Sequence, residues 1–192
     1  RRQRQMCIRD SFVASSHTYL LIFTDRGMVY WLKVHEIPEA STQAKGKPII
    51  NLIKIDPQEK VAAILPVKSF DNDKFVIMAT KKGVAKKVEL SAFSNPRSSG
   101  IIAMNIAEGD KLIGAKLSDG NKEVLISTKF GLAIRFKEEE LRPMGRQAQG
   151  VRGIDLNEND EVVGLEVCSS DAYILTINEN GFGKRTQLTE YR

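Results

Sequence analysis

Short apolar, β-branched runs separated by glycine turns occupy most of the chain. "DKFVIMAT" and "KEVLIST" each meet a second strand-like run across a turn of the Lys-Lys-Gly or Lys-Phe-Gly kind, which predicts β-hairpins. The stretches after Gly100 and Gly150 are again strand-like, as are "LIGAKL" and "VVGLEV". No amphipathic helix longer than a turn or two fits the pattern, although a short helical turn fits Glu138 to Leu141.

These hairpins repeat. "TDRGMVYWLKV", "TKKGVAKKVEL", "TKFGLAIRFKE" and "NENGFGKRTQL" align on Gly27, Gly83, Gly131 and Gly181, which lie 56, 48 and 50 residues apart. A second glycine, at positions 46, 100 and 150, leads into "IINLIKI", "IIAMNIA" and "VRGIDLN". A third landmark follows as "DPQEKVAAIL", "AEGDKLIGAKL" and "NENDEVVGLEV". Three landmarks in one order at a period of about 50 residues define a repeat. All-β units of this size predict a propeller-like array of about four blades, each a four-stranded antiparallel sheet, over approximately 11–60, 61–110, 111–160 and 161–192.

Alternation along the glycine-led strand predicts two columns of side chains. One and five places after the glycine stand Met28 and Leu32, Val84 and Val88, Leu132 and Phe136, Phe182 and Thr186, a column expected to be mostly core. Four places after it stand Trp31, Lys87, Arg135 and Arg185, expected to point outward. An outward lysine commonly does no more than keep a strand solvated. Cations repeated in register also match the repeating phosphates of DNA, and the loops ending at Gly46, Gly100 and Gly150 add Lys45, Arg97 and Arg146, with Lys47 and Arg152 just beyond. Small residues there allow close backbone approach to a phosphate, against the plainer reading of tight turns entering a strand.

Bulk properties agree with such a reading without requiring it. The 192 residues suffice for one substantial domain or two small ones, and a net charge of +5 with pI near 9.2 suits a polyanionic partner. Two cysteines, Cys7 and Cys168, make no disulfide framework, which favours a reducing compartment. No membrane-length apolar run or secretory leader is evident.

"FVASSHTYLLIFTDRGMVYWLKVHEIPEAS", "FSNPRSSGI", "RPMGRQAQGVRGI" and "NENGFGKRTQLTEYR" closely resemble the C-terminal domain of the bacterial DNA gyrase A subunit, over roughly residues 11 to 192. The resemblance implies a β-pinwheel, a disc whose blades exchange strands, which binds and bends duplex DNA around a basic rim. It implies a parent enzyme, an ATP-driven type IIA topoisomerase introducing negative supercoils, built with the gyrase B subunit as an A2B2 assembly in the bacterial cytoplasm. The DNA-cleaving tyrosine, ATP and magnesium sites of that enzyme would lie outside this region, so the chain itself is expected to hold no catalytic residue, metal or cofactor. The family disc has six blades, of which about four would be present here. Its signature heptapeptide, Gln-Arg-Arg-Gly-Gly-Lys-Gly, is not found, and the three basic loops stand as degenerate counterparts. Extrapolation puts a further loop near position 200. Residues 1 to 10, "RRQRQMCIRD", do not continue the resemblance and are expected to be a cloning or assembly remnant.

The DNA-binding candidates are therefore Lys45, Lys47, Lys87, Arg97, Arg135, Arg146, Arg152 and Arg185, with Arg26, Lys81, Lys82, Lys86, Lys129, Arg142 and Lys184 as a secondary set at turns and strands. Enzyme motifs are lacking. "GFGKRT" has the wrong spacing and setting for a phosphate-binding loop, His17 and His35 have no metal-ligand neighbours, and no Gly-x-Ser-x-Gly elbow occurs. The acidic run Glu138 to Glu140 reads as a solvated turn, and Tyr30 and Trp31 as blade packing rather than base stacking. Two alternatives stand beside the gyrase reading: the related domain of the topoisomerase IV A subunit, and a propeller scaffold for protein partners with an apolar or mixed patch on a disc face.

Overall fold

The computed structural model describes residues 12–41 and 44–191; the segment 1–10 and Cys7 lie outside the described residues. The strands in order are β1 (Tyr19–Thr24), β2 (Met28–Lys33), β3 (Val61–Val67), β4 (Phe75–Thr80), β5 (Val84–Glu89), β6 (Ile101–Ile102) and β7 (Leu112–Ser118). There follow β8 (Glu123–Thr128), β9 (Ala133–Lys137), β10 (Val151–Arg152), β11 (Val162–Cys168), β12 (Tyr173–Ile177) and β13 (Gly183–Gln187). Single 3-10 turns close several hairpins, among them Leu90–Phe93 and Glu138–Glu140.

The hairpin turns share one chemistry. Thr24 Oγ1 accepts the N–H of Met28 at 3.3 Å, Thr80 that of Val84 at 3.1 Å, Thr128 that of Leu132 at 3.1 Å, and Asn178 Oδ1 that of Phe182 at 3.0 Å. An aspartate just ahead of β7 or β11 pins two of these turns. Asp110 Oδ1 accepts from the backbone of Lys82 at 2.9 Å, and Asp160 Oδ1 from that of Phe130 at 3.0 Å.

Every sheet is antiparallel, and strands are exchanged between repeats. The first sheet runs β3-β1-β2-β6 and the second β10-β5-β4-β7, so each hairpin takes both flanking strands from downstream sequence. The third sheet, β11-β8-β9, has three strands, and the fourth, β12-β13, has two. Two sheets thus depart from the expected four strands. The pairing rule explains this, because a hairpin draws its flanking strands from later sequence and no strand follows β13 among the described residues. Strands β3, β7 and β11 pack successively on one another and so converge at the inner end of the blades. β6 and β10 occupy the opposite, outer edge.

The core lies between blades. Leu21, Phe23 and Val29 of the first sheet meet Val76, Met78 and Val88 of the second, and Ile77, Ala79 and Ala85 of the second meet Val124 and Ile126 of the third. The Phe23 and Phe93 rings meet edge-on at 5.8 Å, an arrangement worth about 0.5–1.5 kcal/mol beyond area burial. The remaining face of the first sheet, with Leu20, Ile22, Tyr30 and Leu32, is covered by Ile53 and Ile55, so "IINLIKI" folds over a blade. Alternate residues of an interior strand therefore face the preceding and the following blade, and neither set faces water.

The expected core column divides accordingly. Leu32 and Val88 are buried, whereas Leu132 is 39% and Phe182 76% exposed toward the last sheet.

Candidate nucleic-acid interface

The column expected to point outward runs into the gaps between blades, which corrects the sequence reading. Trp31 is half-buried and its Nε1 donates to Phe93 O of the second blade at 2.9 Å. Lys87 is 4% exposed. Its ammonium lies 2.8 Å from Glu138 of the third blade and 4.2 Å from the centre of the Phe75 ring. Arg135 is half-buried, 4.0 Å from Glu123. Arg185 alone of the column is exposed, its guanidinium 5.0 Å over the Tyr173 ring. The column reaches solvent where no further blade covers the sheet among the described residues.

Lys86 is also fully buried, so it leaves the candidate set. Its Nζ donates to Ala103 O at 2.9 Å, to Ala148 O at 2.9 Å, and to Arg146 O. Burial, reinforced by the Arg146 charge, pushes its pKa down to about 8. Glu138, expected in a solvated turn, is 0% exposed and accepts from Ser118 Oγ as well as from Lys122 N at 3.2 Å.

The second and third basic loops occupy the outer edge. The second runs from Phe93 to β6, and its Gly100, at φ +69°, lies so close to the Tyr30 ring that a Cβ would stand 2.7 Å from it. The third starts where Met144 N donates to Lys87 O at 2.9 Å and ends where β10 joins β5. Its Gly150, at φ +102°, would place a Cβ 2.7 Å from Ala85 O. At both glycines the close approach that forbids a side chain is to the neighbouring strand, which is the packing reading of these residues. The exposed charge is carried by the flanking residues Arg97, Arg142 and Arg152. Arg152 pairs with Asp155 at 3.0 Å, but both side chains are about four-fifths exposed, so the pair opens readily. Arg146 is half-buried and donates to Ile102 O at 3.3 Å. Lys45 and Lys47 are exposed in the first loop.

The turn cations form a separate group at the hairpin ends. Lys81 pairs with Glu161 at 2.6 Å, Arg26 with Gln58 at 2.8 Å, and Lys82 Nζ donates to Glu108 O at 3.1 Å. Lys129 is exposed at its turn, and Lys184 is exposed on β13. The Lys81 and Arg26 partnerships tie a turn to the approach of a flanking strand, as the aspartate clasps do. The sequence reading misses Glu138, and with it Asn105, whose Nδ2 donates to Gln147 O and ties the segment after β6 to the third basic loop. A signal for Glu138 exists. Seven places after each hairpin glycine stand Val34, Leu90, Glu138 and Leu188, an apolar column broken once, opposite the buried Lys87.

Comparison with known proteins supplies the family. The model of the DNA gyrase C-terminal domain, beta-propeller, matches residues 18–68, 74–119, 122–169 and 172–192. The DNA gyrase A subunit of Salmonella typhimurium is 48% identical over 179 residues, 93% of this chain and 20% of that protein. Its counterpart in Chlamydia muridarum is 48% identical over 184 residues, 94% of this chain and 22% of that protein. The chain thus spans about a fifth of these relatives. A solved C-terminal domain of DNA topoisomerase IV superposes with a TM-score of 0.81 at 31% identity, over 92% of this chain and 55% of that one. A DNA gyrase A C-terminal domain does so with 0.78 at 26%, over 93% and 57%.

Proposed function

The chain belongs to the DNA gyrase C-terminal domain family, and from that membership we propose that it binds duplex DNA along its outer edge and bends it. The single observation that carries this reading is the sorting of charge. Lys86 and Lys87 of β5 are sealed between blades, while Arg97 and Arg142 stand exposed on successive loops of one edge and Arg152 is exposed on the short edge strand β10.

Bending a site of 20–30 base pairs by 40–90° costs roughly 1–6 kcal/mol, so contacts must be spread along an arc. Loops placed at successive blade edges supply that spread. Contacts of this kind engage phosphates and are indifferent to base sequence. Arg146 lies in the third loop of that edge, Lys45 and Lys47 are exposed in the first loop, and Arg185 and Lys184 add exposed charge on the fourth sheet.

In the parent protein the wrapped segment would be presented for strand passage by a type II topoisomerase, with the gyrase B subunit, ATP and magnesium acting outside this chain and the whole working in the bacterial cytoplasm. The topoisomerase IV A subunit is the second reading, favoured by the 0.81 superposition. Gyrase is preferred because the relatives at 48% identity are gyrase A subunits.

The test is a titration with duplex DNA at several salt concentrations, comparing the wild type with an Arg97→Glu, Arg142→Glu, Arg152→Glu variant. Each lost phosphate contact should lower the slope of log K against log salt by about 0.9. Unchanged affinity and slope in a variant that melts like the wild type would refute the reading.

A further inference from the structure

We infer that Lys86 is a positioning residue whose ammonium fixes the spacing of successive rim loops, and so the path along which DNA is bent. The inference rests on the DNA-edge reading above and asks what sets its geometry.

An ammonium has three donors and no acceptor. All three of Lys86 are used, on Ala103 O, Arg146 O and Ala148 O. Ala103 directly follows β6, the strand entered from the Arg97 loop, whereas Arg146 and Ala148 lie in the loop that ends at β10. One buried point charge therefore ties the exit of β6, the strand into which the Arg97 loop runs, to the following loop. Asn105 Nδ2 to Gln147 O and Arg146 Nη1 to Ile102 O at 3.3 Å repeat the link at the surface.

An apolar side chain would suit the surroundings, since Ala103, whose carbonyl the ammonium reaches, and Met78, its cross-strand partner, belong to the core cluster. It would leave three carbonyls without a donor in a buried setting. The corresponding residue of the first repeat is Tyr30, which packs under Gly100 and makes no such clasp. The third repeat has Ile134 at this place and the fourth Lys184, which is exposed, so among the described residues the lysine is buried and clasped only at this junction.

Loops that drift independently can each hold a phosphate, but they cannot hold a duplex to one curvature. Loss of the clasp should separate bending from local binding.

The experiment uses the full chain, an end-labelled duplex of about 30 base pairs whose ends approach on bending, and a duplex of about 10 base pairs, one helical turn. Lys86→Met should reduce the bent fraction of the long duplex about fivefold while shifting affinity for the short one less than about twofold. Asn105→Ala, at an exposed side chain, should act in the same direction by about twofold, and decides the matter if Lys86→Met does not fold. Wild-type bending retained in both variants would overturn the inference, and so would parallel loss on both duplexes, the mark of general destabilisation. A wild-type chain that binds neither duplex would fail the DNA-edge reading itself, a result visible before any variant is made.

Discussion

Lys87 and Arg97 stand ten residues apart and do opposite work. Lys87 sits in a dry gap between the second and third blades, neutralised by Glu138; Arg97 sits on an edge loop in water. The difference comes from topology. A strand in a stack of blades has no solvent face, so a cation there must find an acid or a set of carbonyls. A loop at the edge has no such demand, and its charge remains available to a ligand.

The strongest way to break this contrast is Lys87→Ala. It leaves Glu138 charged and unpaired, which should cost about 3–5 kcal/mol, read as a lower denaturation midpoint. The folded fraction should bind DNA as the wild type does; a stable variant with weakened DNA binding would return Lys87 to the interface. Gly150→Ala probes the boundary between the two regions. Its φ of +102° and the nearby Ala85 O should make the change cost about 1–3 kcal/mol in stability, and it should also unseat the third loop, measured as a lower melting temperature with weaker DNA binding. A third effect concerns pH. Lys86 has its pKa at about 8 when folded against the ordinary 10.5, so the unfolded chain holds more protons between these values. The destabilising contribution of its buried charge is complete below pH 8 and is relieved as pH rises through that window. The wild type should gain thermal stability relative to Lys86→Met from pH 8 to 10, a gain that would vanish if the ammonium were solvated.

The period, the hairpins and their glycines are legible in the sequence because turn chemistry is local. Thr24, Thr80, Thr128 and Asn178 each cap their own turn. Which way a strand residue points is not legible, because alternation separates core from solvent only when one face of a sheet is wet. Pattern alone therefore sends Lys86 and Lys87 to DNA and Glu138 to water. The loop glycines do hold positive φ, but their tight neighbours are Tyr30 and Ala85 of adjacent strands, a long-range fact that loop composition does not encode. The exposed edge set of Arg97, Arg142 and Arg152 is recoverable from the repeat, with Arg142 the hardest to rank because it precedes the loop's first glycine.

Strand exchange gives the stack a direction. The hairpin β1–β2 borrows β3 and β6 from the next repeat, and β4–β5 borrows β7 and β10 from the one after. Melting of any one repeat would reduce the blade before it to a bare two-stranded ribbon, while the blade after it would keep its own strands. Damage therefore propagates toward the N-terminus, and the integrity of each unit is guaranteed by the sequence that follows it.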